Sequence, residues 1–130
     1  SKGFLRKQLA RGDAEFSPID HGQTMYFVVS GKLIYTKMDS SERVQQTDVE
    51  PAAAWISEAA LWMKEWQHLG LLTATTETAL LMIDQKRFSD ALKAYPGTHR
   101  MVATYIVNFA VWINKQDPDD LSDVMTNVSH

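Results

Sequence analysis

One stretch constrains this chain more than any other: Asp20–Tyr35, which reads DHGQTMYFVVSGKLIY. β-Branched and aromatic residues dominate it, and Gly22 and Gly31 punctuate it at intervals suited to short strands. A second stretch, Ile56–Asp84, opens ISEAALWM and closes TATTETALLMID. It places a lone Glu58 at the start of a short apolar helix and then returns to strands.

The period of the pattern changes once along the chain. From Phe4 to Asp84 it predicts short strands separated by turns at Gly12-Asp13, Asp20-His21-Gly22 and Ser30-Gly31. Met25–Val29 and Lys32–Thr36 flank Ser30-Gly31 and predict a hairpin. Leu71–Thr75 and Thr78–Ile83 predict another across Thr76-Glu77, and Met38–Gln46 is expected to be an exposed loop. After Asp84 the spacing becomes helical. Asp84 is the expected cap of a helix burying Phe88, Ala91, Leu92 and Tyr95. Pro96-Gly97 is expected to end it. Thr98 is expected to cap a longer helix from His99 to about Asn114, and Asp117-Pro118-Asp119-Asp120 signals a helical restart running to Met125. Strands first and helices last, with a helical insert at Ile56–Lys64, predict a mainly antiparallel sheet closed on itself with helices at one end.

The 130 residues, 45% hydrophobic, suit one domain with a modest core. The missing Met at Ser1 leads to the expectation that the chain is a piece of a longer protein. A net charge of −3 without a basic block argues against a nucleic-acid surface. With no cysteine, disulfides and thiol chemistry are excluded, which fits a reducing, cytoplasmic setting. No apolar run is long enough to span a bilayer. His21, His68, His99 and His130 show no metal-ligand spacing. No nucleophile–base or paired-carboxylate arrangement stands out, so no enzyme activity and no cofactor are expected.

Trp55–Trp66 (WISEAALWMKEW) is the segment with chemistry in it. A helix starting at Ser57-Glu58-Ala59-Ala60 offers free backbone N–H groups to a phosphate or another anion. Small side chains at 59 and 60 let a ligand approach the backbone, and Glu58 can accept hydrogen bonds from sugar hydroxyls. The same residues also read as structure: Ser57 as a cap, Glu58 favouring the dipole, Ala59, Ala60 and Leu61 packing inward.

In combination these segments resemble the cyclic-nucleotide-binding domain family over nearly the whole chain. Gly12-Asp13, Asp20, Gly22, Met25-Tyr26-Phe27 and Gly31 are similar to its early strands. Ile56-Ser57-Glu58-Ala59-Ala60-Leu61 is similar to its phosphate-binding cassette. His68–Ala74 falls where the family carries Arg and the strand after it, and Met82-Ile83-Asp84, Phe88, Leu92 and Tyr95-Pro96 resemble the entry to its C-terminal helices. The resemblance implies an antiparallel β-roll, of the jelly-roll kind, over about 4–83, with helices over about 84–125. It implies a regulatory domain of an ion channel, kinase or transporter, with a site at Ser57, Glu58, Ala59, Ala60, His68 and Leu69. Glu58 would hold a ribose hydroxyl, and the cassette amides and an Arg the cyclic phosphate.

That Arg is missing. Counting back from Asp84 puts His68 in its place, and counting forward from Glu58 puts Gln67 there. Neither is a permanent cation, and only Arg offers phosphate a bidentate fork. A charge-assisted hydrogen bond is worth roughly 1.5–3 kcal/mol, so its loss weakens binding on the order of 10- to 100-fold. Weak or absent binding of cAMP and cGMP is therefore expected, with Lys64 as a substitute cation only if it points inward. Some channel relatives fill the pocket with a segment following the domain, and Leu121, Val124 and Met125 are the candidates for such an intrinsic tail ligand. Met101–Ile113 is apolar nearly all round, so its second face is expected to meet a neighbouring domain, a second copy or the tail, through Tyr105, Phe109 and Trp112. Trp62 and Trp66 lie four apart and are expected to share a helix face, with Trp55 on the other side of the cassette. Asn127-Val128-Ser129 fits a glycosylation sequon, a triplet common by chance.

Overall fold

A computed structural model of the chain describes residues 4–51, 56–63, 65–94 and 96–124. Trp55, Ala52–Ala54, Lys64, Tyr95, Met125, His130 and the sequon therefore lie outside the described residues, as do the side chains of Ala91 and His99.

Strands β1 (Leu5–Leu9), β7 (Thr78–Asp84) and β3 (Thr24–Ser30) form one three-stranded sheet in the order β1-β7-β3. Strands β2 (Ala14–Phe16), β6 (Leu71–Ala74), β4 (Leu33–Met38) and β5 (Val44–Val49) form a second in the order β2-β6-β4-β5. Every pairing is antiparallel. Alternate side chains enter the space between the sheets, as the two-residue period requires. Tyr26 and Val28 come from β3, Leu33 and Tyr35 from β4, Leu72 and Ala74 from β6, and Leu80 from β7. This is the mainly antiparallel β-roll that the sequence predicts.

Both predicted hairpins are wrong. β3 and β4 belong to different sheets, as do β6 and β7. A primed two-residue turn needs a left-handed residue in its first central position. Ser30, Thr76 and Glu77 are not left-handed, and only Gly31 is, at φ +93°. Gly31 instead carries the chain across from one layer to the other. Its backbone passes so close to Glu77 that a Cβ would stand 2.4 Å from the Glu77 carbonyl oxygen. The true hairpin lies in the predicted loop: β4 pairs with β5 from Leu33↔Val49 to Met38↔Val44. Asp39 closes its turn by accepting from the Ser41 and Arg43 amides at 2.9 Å each.

Helix α1 is a single turn, Ala59–Trp62, shorter than the predicted insert. Ser57 does not cap it: the N-cap position is Glu58, without a side-chain cap bond, while Ser57 sits at φ +63°. Helix α2 spans Gln85–Lys93, and Asp84 accepts from the Arg87 amide at 2.7 Å, the expected cap. Pro96 does not end a helix but begins α3, Pro96–Asn114, in the first-turn position where its missing N–H costs nothing. The restart at Asp117 is only a 3-10 turn, Pro118–Asp120; beyond it Leu121–Val124 is not helical, and Val124 bridges Ile56.

A second apolar cluster joins α1 to α3, with Ala59, Ala60, Trp66, Phe109 and Ile113 buried in it. Trp62 packs edge-on against Phe88 and Tyr105, at 5.0 and 5.4 Å between ring centroids. Trp66 lies past the end of α1, so the two tryptophans do not share a helix face. The opposite face of α3 is open, with Val107 61% and Val111 50% exposed, and Met101, near the Trp62–Tyr105 contact, is 73% exposed. No helix among the described residues is long and apolar enough to cross a membrane.

Candidate functional site

The cassette and the strand after it meet at His68. Backbone hydrogen bonds fix the segment before it: His68 N–H donates to Asp20 O and Ile19 N–H to His68 O, both at 2.8 Å, and Gly22 N–H donates to Trp66 O at 2.8 Å. The imidazole lies flat on Phe16, with ring centroids 3.7 Å apart and planes 6° from parallel. Its Nδ1 is 3.4 Å from Ser57 Oγ. Of the two candidates, His68 is thus the buried one, whereas Gln67 is exposed and bridges His21.

The partner of that imidazole is Asp123, in the tail. Asp123 is 1% exposed. Its Oδ1 lies 3.1 Å from His68 Nδ1 and accepts from Trp66 Nε1 at 3.0 Å. Its Oδ2 accepts from the Tyr35 hydroxyl at 2.7 Å, Leu69 N–H at 2.8 Å and Gly70 N–H at 3.1 Å. Its own N–H donates to the Tyr35 oxygen at 3.1 Å, and its carbonyl accepts from Ser57 N–H at 2.6 Å. The first cassette amide is therefore taken by the tail.

The electrostatics follow from this shell. Burial pushes the Asp123 carboxyl up, but hydrogen bonds from His68, Tyr35 and Leu69 and the His68 charge outweigh it and hold the carboxyl below the ordinary carboxylate range. Burial and the neighbouring Asp123 push the Tyr35 phenol far above its usual value. Tyr35 therefore stays a neutral donor at any physiological pH.

Glu58 faces elsewhere. Its Oε1 accepts from Trp62 Nε1 at 3.2 Å and from the Tyr105 hydroxyl of α3. Burial, then the bond to Glu58, raise the Tyr105 phenol. Ala59 and Ala60 are core residues, 1% and 0% exposed, and Leu69 contributes its amide. Of the predicted site residues, the structure brings His68 and Leu69 onto the Asp123 carboxylate, sets Ser57 against the Asp123 backbone carbonyl and the His68 ring, and turns Glu58 toward α3.

The tail reaches the pocket as a strap. Leu121 packs on the α1–α3 cluster and Val124 on the core of the roll, while Asp123 turns in against His68 and Tyr35. Leu121 and Val124, two of the residues expected of a tail ligand, thus pack on hydrophobic clusters, and the acid between them meets His68. Sequence reasoning missed Asp123, Tyr35, Trp66 and Gly70. The inward phase of β4, which Leu33 and Tyr35 share, was the signal available for Tyr35; Asp123 stands in a row of acids with nothing to single it out. Gly70 is close-packed by necessity: a Cβ there would lie 2.6 Å from Thr36 O and 2.7 Å from the Tyr35 hydroxyl oxygen.

No family model and no curated protein matches the chain. Solved structures do. The N-terminal domain of a transcriptional regulator from Streptomyces coelicolor A3(2) aligns with a TM-score of 0.71 at 23% identity, covering 92% of this chain and 85% of that one. The Thermus thermophilus catabolite activator protein aligns at 0.65 and 19% identity, over 85% of this chain and 52% of that one. The chain thus spans about half the length of the Thermus protein. A cyclic nucleotide-binding-like protein from Brucella abortus bv. 1 str. 9-941 aligns at 0.61 and 24% identity, over 70% of this chain and 77% of that one. The two antiparallel sheets, the cassette turn and the C-terminal helices of this chain are those of the cyclic-nucleotide-binding-like β-roll.

Proposed function

We propose that the chain is one regulatory domain of a larger signalling protein, and that its pocket takes its own tail in place of a cyclic nucleotide. The observation that carries this reading is the Asp123 carboxylate, buried against Tyr35, Trp66, His68 and the Leu69 and Gly70 amides. Those donors suit a single negative charge. A cyclic phosphodiester also carries one, yet the pocket holds an imidazole where the resembled family uses a guanidinium, and the carboxylate is already there. A tethered ligand competes at an effective concentration of roughly millimolar, without paying for a second molecule's lost freedom.

The site is then made of Ser57, His68, Leu69, Tyr35, Trp66, Gly70 and the tail, with Ala59 and Ala60 as its packed floor. Glu58 couples it to α3 through Tyr105, so that a change at the cassette is passed to the C-terminal helix. The domain regulates and does no chemistry of its own. In the resembled family such domains serve channels, kinases and transporters; a cytoplasmic domain of one of these is the setting proposed.

Titration calorimetry with cAMP and cGMP tests the reading. The expected result is no heat of binding at low-micromolar concentrations. Low-micromolar binding of either nucleotide to the unmodified chain would overturn it.

A further inference from the structure

The strap that delivers Asp123 is held from outside by the β4–β5 hairpin. The Ser40 hydroxyl donates to Asp119 Oδ2 at 2.6 Å, and the Ser40 amide donates to Asp119 Oδ1 at 3.0 Å. Three residues earlier, near the end of β4, Lys37 Nζ donates to Pro118 O at 3.0 Å, to Asp119 O at 3.4 Å and to Leu121 O. Beneath the strap lies a cavity of about 280 Å³, lined by Tyr35, Lys37, Gln45, Thr47 and the strap itself. This end of the strap is therefore secured by polar contacts more than by packing. Ser40 is exposed, three residues of chain separate Asp119 from Asp123, and Asp117 and Asp120 add negative charge to the strap.

We propose that Ser40 is the latch hydroxyl of the tail, and that its phosphorylation unseats Asp123. The inference rests on the tail being the occupant of the pocket. A serine/threonine kinase would join Ser40 Oγ to the γ-phosphorus of a nucleoside triphosphate. The bond to the bridging oxygen breaks, the nucleoside diphosphate leaves, and the hydroxyl proton passes to the kinase's base. The ester has no proton to donate to Asp119. In its place stand acceptor oxygens carrying a charge of about −1.5 to −2 against that carboxylate. Asp119 has every reason to resist: its low pKa comes first from the two Ser40 bonds, then from Lys37 and Arg43.

The cations nearby do not rescue the latch. Arg43 is engaged with Asp39, at 3.5 Å between Nε and Oδ2. Lys37 can reach a phosphate only by leaving the strap carbonyls it holds. Either response loosens the segment that carries Asp123.

The test uses the full chain with phosphoserine incorporated at position 40 during synthesis. The readout is hydrogen exchange at the Leu69 and Gly70 amides, which donate to Asp123. Like charges this close weaken seating on the order of tenfold, so exchange at both amides should quicken about tenfold. The effect should shrink in about 1 M salt, where the screening length falls to about 3 Å. Combining phosphoserine 40 with Asp119→Asn should restore most of the protection. Unchanged or slower exchange on phosphorylation would overturn the proposal, and so would acceleration that Asp119→Asn leaves intact. Asp123→Ala keeps the two readings apart. If it exchanges like the unmodified chain at both amides, the tail was never the occupant. If it exchanges faster while phosphoserine 40 does not, the latch alone fails.

Discussion

Asp123 is one acid gathering donors from β4, from the turn before β6 and from the segment after α1. Replacing it with Ala leaves the Leu69 and Gly70 amides and the Trp66 indole N–H facing a void. A buried donor without a partner costs about 1–3 kcal/mol, and breaking a buried charged pair about 3–5 kcal/mol. Asp123→Ala should therefore lower stability by about 3 kcal/mol, measured by urea unfolding, whereas the same change at the exposed Asp120 should cost under about 0.5 kcal/mol. The pH dependence has a definite sign. The carboxyl facing His68 and Tyr35 has its pKa lowered from 3.8, so the seated tail binds the ionised form preferentially. Its contribution is complete above pH 3.8 and disappears as the pH falls through the lower, seated value. Trp66 fluorescence followed from pH 7 to pH 2 should report that loss, and it should be absent in Asp123→Asn. Gly70→Ala tests the close packing around the same carboxylate. Its Cβ meets the Thr36 carbonyl, which is backbone and cannot swing away, so a loss of about 1–3 kcal/mol is expected. At this scale the sequence was half legible. The cassette spacing marks Ser57, but counting forward from Glu58 points to Gln67, and only counting back from Asp84 points to His68, the one of the two that is buried. Asp123 was not legible, because its partner His68 is 55 residues away and a tail acid looks like a solvated one until the chain folds.

Between elements, the contact that matters is Glu58 to Tyr105, which ties the cassette turn to the third turn of α3. Trp62 stands between them, against Tyr105 and Phe88, so cassette, α2 and α3 form one packed unit. Tyr105→Phe keeps the ring contacts and removes only the hydroxyl. A bond to a charged acceptor is worth about 1.5–3 kcal/mol, discounted here because Tyr105 is partly exposed. The expected loss is about 1 kcal/mol, with faster amide exchange in α3 and none in β1 or β7. Uniform acceleration throughout the chain would show that Glu58 has no particular link to the helix. Elements were more legible than their pairing. Strands β3, β4, β6 and β7 lie close to where alternation puts them, β5 begins inside the expected loop, and both predicted hairpins failed. Alternation says which side chains turn inward, and in a two-layer roll both layers turn inward toward the same core. It cannot say whether Val28 and Leu33 are neighbours in one sheet or face each other from two. The start of α3 was misread at Pro96 because Pro-Gly serves as a stop or as a start: α2 already ends at Lys93, and Pro96 opens α3.

For the molecule as a whole, under the proposed function two separate features stand as obstacles to a cyclic nucleotide: the imidazole at position 68 and the carboxylate that lies on it. They should be separable. His68→Arg alone places a guanidinium beside Asp123, where the two charges pair; the tail becomes harder to displace and cAMP binding stays undetectable. Asp123→Ala alone vacates the pocket but leaves it without a permanent cation, so binding should stay weaker than an arginine-bearing site by about 10- to 100-fold. His68→Arg with Asp123→Ala removes both obstacles at once. That double variant should bind cAMP or cGMP more tightly than the sum of the two single effects, because the residues are in contact and their changes are not independent. Calorimetry on the four proteins completes the cycle. Additive effects would mean that His68 and Asp123 act on the ligand separately, and that the tail is a bystander packed near the pocket instead of its occupant. A positive coupling would mean that this roll kept the architecture of a nucleotide receptor while two positions, far apart in the chain and 3.1 Å apart in space, turned the receptor on its own tail.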